Sequence, residues 1–187
     1  MRSNRAKSLT RHPAKGGGFA LIELVLAVSF MAIAFAGIST SLASSLSLRE
    51  SNVDRARAIR AALSLSDSLK DEDFATLFAR YNTSDLDDPN GIGTAPGPFF
   101  EVDGLTSRSD DNDTFVGAIS FPGDGFQLRE DIHSRNLGMP RDLSADGLVD
   151  ALDHALDYEV LPITITIEWV SARGSDSIVL SSTLTSR

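Results

Sequence analysis

The chain has 187 residues, 42% of them hydrophobic, with a formal charge of −9 and no cysteine. That length fits one modest domain plus an anchor, and the missing cysteines exclude a disulfide framework and any thiolate metal site. Beyond residue 18 the chain holds 12 basic against 26 acidic residues, which argues against a nucleic-acid partner, since a phosphate backbone calls for clustered lysine and arginine.

The first 18 residues hold Arg2, Arg5, Lys7, Arg11 and Lys15 and no acid, a local charge of +5, and only one lysine, Lys70, follows them. This asymmetry fits a basic segment kept in the cytoplasm and an acidic domain outside it. The leader ends in Lys15-Gly16-Gly17-Gly18, and an apolar run opens with Phe19-Ala20-Leu21-Ile22-Glu23-Leu24. No charged residue lies between Leu24 and Leu48. The apolar part is about 20 residues, enough to cross a hydrocarbon core of about 30 Å as a helix. A secretory signal peptide has the same basic and apolar halves, with Ala34-Phe35-Ala36 as a possible cleavage mimic. A plain single-pass anchor is the other simple reading. Neither explains the glycine triplet or Glu23, since a carboxylate inside an apolar run opposes insertion and calls for a partner.

Gly18-Phe19-Ala20-Leu21-Ile22-Glu23-Leu24 resembles the processing segment of type IV pilins and of the pseudopilins of type II secretion. The resemblance covers Lys15 to about Leu48. It combines a glycine before the cut, a phenylalanine after it and a glutamate at the fifth mature position; Ala20 stands where the family usually has threonine or serine. It implies cleavage between Gly18 and Phe19 by a membrane prepilin peptidase and N-methylation of Phe19. It also implies a role for Glu23 in subunit register, meeting the Phe19 amine of a neighbouring chain. The expected partners are other pilins or pseudopilins, the prepilin peptidase, an inner-membrane assembly platform and membrane lipid. The expected location is the inner membrane, amino terminus inside and head outside, and then a filament.

Residues 39–48 are rich in serine and leucine, the neck of a helix leaving the bilayer. Val53, Ala56, Ile59, Ala62 or Leu63, Leu69, Phe74, Leu77 and Phe78 then recur at helical spacing. No proline occurs between Pro13 and Pro89. The expected organisation is a leader over 1–18, the membrane half of a helix over 19–45 and its outer half over 46–80, with a break near Asp67 to Asp73. A globular head follows over 81–187. The fold class is α+β, a long helical spine with a small antiparallel sheet, as the family resemblance also implies.

In the head, 85–98 is loop chemistry. Short strands are expected at Phe99 to Val102 and at Thr114 to Phe121, with a turn at Pro122-Gly123-Asp124-Gly125; 126–140 is ambiguous. Leu143 to Leu156 reads as a short helix, with Asp146, Asp150, Asp153 and Asp157 as an acidic, solvated stripe and Leu148, Val149, Leu152 and Leu156 as its apolar side. Tyr158 to Val170 and Ser177 to Leu184 form a hairpin around a loop at 171–176. Its core face should carry Ile163, Ile165, Ile167 and Trp169. This ending is similar to minor pilins of the pilus-modification and I-type pseudopilin group.

Candidate chemistry is sparse. Asp110, Asp111 and Asp113, and the segment Asp85 to Asn90, offer oxygens for calcium but lack EF-hand spacing. His133 and His154 have no matching spaced ligands, so no metal centre and no cofactor is expected. No nucleophile elbow, phosphate loop or dinucleotide fingerprint occurs. The chain therefore reads as a structural subunit rather than an enzyme. The alternative is a membrane-anchored extracytoplasmic module that captures a ligand or a cation.

Overall fold

Helix α1 runs Leu21–Asp71, as expected of a proline-free stretch whose first half is apolar all round. Two hydroxyls of its apolar half bond within the helix: Ser29 Oγ donates to the Val25 carbonyl at 2.8 Å, and Thr40 Oγ1 to the Gly37 carbonyl at 2.9 Å. Such back-bonding lets serine and threonine sit in an apolar helix without a stranded donor. The structure, a computed structural model, describes residues 21–107, 114–171 and 173–186. It falls into two units, divided after Ser44. In the first, every residue of Leu21–Ser44 is exposed. The second begins at Ser45 and holds the outer part of α1 and the whole head.

In the second unit α1 buries Ala58, Ala62, Ser66 and Leu69. These recur at four, four and three, one line along the helix. Three of the four are small, so the backbone lies close to the core. The bulkier Val53, Ile59 and Leu63, expected on that stripe, face outward. After Asp71 the helix breaks, within the expected window. Asp73 is extended, a 3-10 turn occupies Phe74–Thr76, and helix α2 spans Leu77–Tyr81.

Two tyrosines hold this break. The Tyr158 hydroxyl donates to the Phe74 carbonyl at 2.6 Å and accepts the Phe78 amide at 3.3 Å. Tyr81 donates to Glu72 Oε1 at 2.6 Å, and Arg80 meets Glu72 Oε2 at 3.0 Å. Burial, then the hydrogen bond and charge of Glu72, push the Tyr81 phenol up to about 12, against a small opposing pull from Arg80. Burial also raises Tyr158. Both neutral phenols are thus favoured by folding. Their stabilisation is complete below the ordinary value of 10.0 and is lost as pH rises from there towards about 12. These are the chain's only tyrosines. Phenolate absorbance is therefore expected to develop above pH 10, together with loss of helix ellipticity. Titration at the ordinary value in a folded chain would contradict this.

The sheet has four antiparallel strands in sequence order: β1 Phe99–Phe100, β2 Gly117–Ser120, β3 Val160–Ser171 and β4 Gly174–Thr185. The first two are shorter than expected. At the β1–β2 pair the Phe100 ring lies over Gly117, where a Cβ would come within 2.2 Å of it. Glycine here leaves room for the ring. β3 is flanked by β2 on one side and the edge strand β4 on the other. Ile163, Ile165, Ile167 and Trp169 are all buried, as the alternation predicts. β4 pairs with β3 from Val160↔Thr185 to Ser171↔Gly174, so the ladder runs further into the turn than the expected six-residue loop allows.

Leu143 to Leu156 is not a helix; it is a series of bends and turns. The acids explain why. Asp146 accepts the Leu148 amide, Asp150 the Leu152 amide and Asp153 the Ala155 amide, each two residues on. Such local bonds compete directly with the helical ladder. The expected acidic stripe is dispersed, and Leu148, Val149, Leu152 and Leu156 are exposed rather than packed.

Candidate functional site

Two features of the chain carry chemistry, one in each unit, and each is described by itself. In the first unit, α1 is long and apolar enough to cross a membrane, and this stretch fits a single membrane span. Glu23 sits in its first turn, exposed, and is the only ionisable residue from Leu21 to Leu48. Among the described residues it has no hydrogen-bond or ion-pair partner. Gly18 and Phe19, the expected cleavage and methylation positions, lie outside the described residues.

In the head, two parts of the long β2–β3 connection, around Glu130 and around Asp150 to Asp157, meet at His154. His154 is 4% exposed. Its Nδ1 lies 3.2 Å from Asp157 Oδ1, and its Nε2 lies 3.2 Å from Asp150 Oδ1 and 3.7 Å from Glu130 Oε2. Glu130 is 1% exposed. Its Oε1 accepts the Leu143 amide at 2.6 Å and the Ser144 amide at 3.0 Å, which leaves Oε2 turned towards the imidazole. The neighbouring backbone is pinned as well: the His154 amide donates to the Leu128 carbonyl at 2.8 Å, and the Leu128 amide to Asp153 Oδ1 at 3.0 Å.

Burial lowers the pKa of His154, but the hydrogen bond to Asp150, the charge of Glu130, and Asp157 outweigh it and hold the pKa above its ordinary value. Asp150 is held low by the Leu152 amide and then by His154. The cluster thus gathers three carboxylates around one imidazole. Among the described residues, His154 is the only ion-pair partner of Glu130.

No family model, curated protein or solved structure matches the chain.

The other candidates fare differently. Asp110, Asp111 and Asp113 lie outside the described residues. In the 85–90 segment, Asp87 accepts from Asn82 Nδ2 at 2.7 Å and Asp88 accepts the Ala95 amide at 3.0 Å. These carboxylates hold their own loop. The expectation that His154 lacks matching ligands is corrected: Asp150 and Asp157 flank it at i−4 and i+3, and Glu130 closes the group from 20 residues before Asp150. The i−4 and i+3 pairs were available in the sequence; the contribution of Glu130 was not.

Proposed function

We propose that the chain is a minor pilin or pseudopilin, a structural subunit of a type IV pilus or a type II secretion pseudopilus. It is cleaved after Gly18 by a prepilin peptidase, N-methylated on Phe19 and drawn from the inner membrane into a filament. The observation that carries this reading is Glu23. It is the lone carboxylate of the exposed apolar stretch that opens α1, at the fifth position of the run that follows the glycine leader. In a lone chain it is only a cost. Beside the Phe19 amine of a neighbour it becomes half of an attractive pair, because two opposite charges in low dielectric each relieve the desolvation of the other.

Further support comes from the basic leader, which favours a cytoplasmic amino terminus and an extracytoplasmic head. The outer part of α1 also exposes Leu46, Leu48, Val53, Ile59 and Leu63, apolar surface of the kind that packing among neighbouring helices would cover. The role in this reading is assembly or tip formation rather than catalysis. Its partners are other pilins or pseudopilins, the peptidase, the assembly platform and membrane lipid.

Mass spectrometry of the mature amino terminus tests the proposal. The expected product begins with methylated Phe19. A product beginning after Ala36 would instead assign the segment to a secretory signal.

A further inference from the structure

We propose that Glu130, Asp150 and His154 form a binding site for one divalent transition metal of the zinc class. The inference concerns the head alone and does not depend on the filament reading. Donor atoms of the three residues lie within 4.8 Å of one another. The Nε2 to Asp150 and Nε2 to Glu130 separations, 3.2 and 3.7 Å, bracket the edge of about 3.3 Å that a tetrahedron requires when metal–ligand bonds are about 2.0–2.1 Å.

The supporting shell is also in place. A ligating imidazole keeps one nitrogen free for the metal and gives the other N–H to a carboxylate or carbonyl, which fixes the tautomer and the ring orientation. Asp157 occupies that position on Nδ1 at 3.2 Å. Glu130 is divided in the same way. Oε1 is anchored by two backbone amides, while Oε2 has only a long contact of 3.4 Å from the Asp150 amide and faces Nε2. Charge points in the same direction. Three carboxylates surround one imidazole, one of them almost fully buried, and among the described residues neither lysine nor arginine pairs with Glu130. A buried anionic group of this kind is stabilised by a divalent cation. Asp150, whose side chain is 36% exposed, gives the ion an approach from solvent, and water completes the coordination. Calcium suits the set poorly, because it takes six to eight oxygens, whereas imidazole with two carboxylates is a donor set for zinc and its neighbours.

The test uses the full chain in detergent, stripped with chelator and then dialysed against zinc chloride, with bound metal measured by elemental mass spectrometry. Cobalt chloride serves as a spectroscopic probe. One zinc per chain is expected, together with a raised thermal midpoint and, with cobalt, the intense visible bands of a tetrahedral ion. Asp150→Asn, at a partly exposed ligand, is expected to weaken zinc binding at least tenfold without unfolding the chain. Asp157→Asn, outside the ligand set, is expected to weaken it about 10–100-fold. Wild-type chain holding no more zinc than the Asp150→Asn variant would overturn the proposal. So would an equal response to calcium, or cobalt bands that persist in Asp150→Asn and His154→Gln. In those cases the cluster is a histidine–carboxylate salt bridge.

Discussion

Trp169→Ala is expected to lower the stability of the head by about 3–5 kcal/mol, the range for removing a large aromatic side chain from a packed core. Trp169 is fully buried and is the largest such side chain in the molecule. It ends the row Ile163, Ile165, Ile167 on β3. The same core cluster takes in Ala58, Ala62 and Leu69 from α1 and Phe78 from α2, so the cavity would be felt by both layers. Among the described residues the indole Nε1 has no hydrogen-bond partner, so truncation leaves no acceptor stranded among them, and the loss is one of apolar packing. Trp169→Phe, which keeps most of the ring volume and removes the unsatisfied N–H, should therefore recover most of the difference. Denaturant unfolding of the full chain in mild detergent gives the comparison. The expected signature is a lowered midpoint at unchanged slope for alanine and a small shift for phenylalanine. A loss below about 1 kcal/mol for alanine would mean that the indole is not central to the core.

What was legible in the sequence followed the range of the forces involved. The β3 row reads directly, because period-two alternation is local and a strand buried on one face cannot slip by one residue without exposing it. The long helix reads as well, from its apolar first half and the absence of proline. The break at Glu72 and Asp73 was visible as a run of charge; the Tyr158 hydroxyl that holds it comes from 84 residues away from Phe74 and was not visible. The segment 143–156 was misread because its apolar and acidic residues do fall at helical spacing. The same aspartates bond to amides two residues on, and the Leu143 carbonyl, which a helix would pair with the Gly147 amide, instead accepts the Glu159 and Val160 amides, while the His154 amide donates to the Leu128 carbonyl. Two forces thus oppose the helix: one is local and easily underweighted, the other is tertiary. The His154 cluster is missed for the second reason, since Glu130 stands 20 residues before Asp150 and only the fold brings them together. Along α1 the buried line passes through alanines rather than through the larger Val53, Ile59 and Leu63. Hydrophobicity ranks residues by transfer energy, whereas close approach to the core selects small ones.

Glu23→Ala is expected to leave membrane insertion intact and to abolish, or reduce by well over tenfold, incorporation into filaments. Insertion should if anything become easier, because the substitution removes the one charge of the apolar stretch from Leu21 to Leu48 and with it an unfavourable contribution of about 2.5–3.5 kcal/mol were it at the bilayer centre, less near the interface. Assembly responds in the opposite direction. In the proposed role, cleavage after Gly18 would create an ammonium at Phe19, and in the alanine variant that cation would enter the filament without its carboxylate. Removing one partner of a buried pair costs about 3–5 kcal/mol, equivalent to about two to four orders of magnitude in an assembly equilibrium. Glu23→Gln separates charge from shape, because it keeps the volume and a hydrogen-bond acceptor but cannot balance the amine. It should resemble alanine if pairing is the role, and wild type if packing is. The measurement is the ratio of subunit in sheared filaments to subunit in membranes, with the mature amino terminus sequenced in both fractions so that a processing defect is not mistaken for an assembly defect. Normal incorporation of both variants would remove the register role. Incorporation lost in Ala but kept in Gln would reassign Glu23 to packing. The opposed responses of insertion and assembly make Glu23 diagnostic, since neither a signal peptide nor a plain anchor predicts a gain in one and a loss in the other.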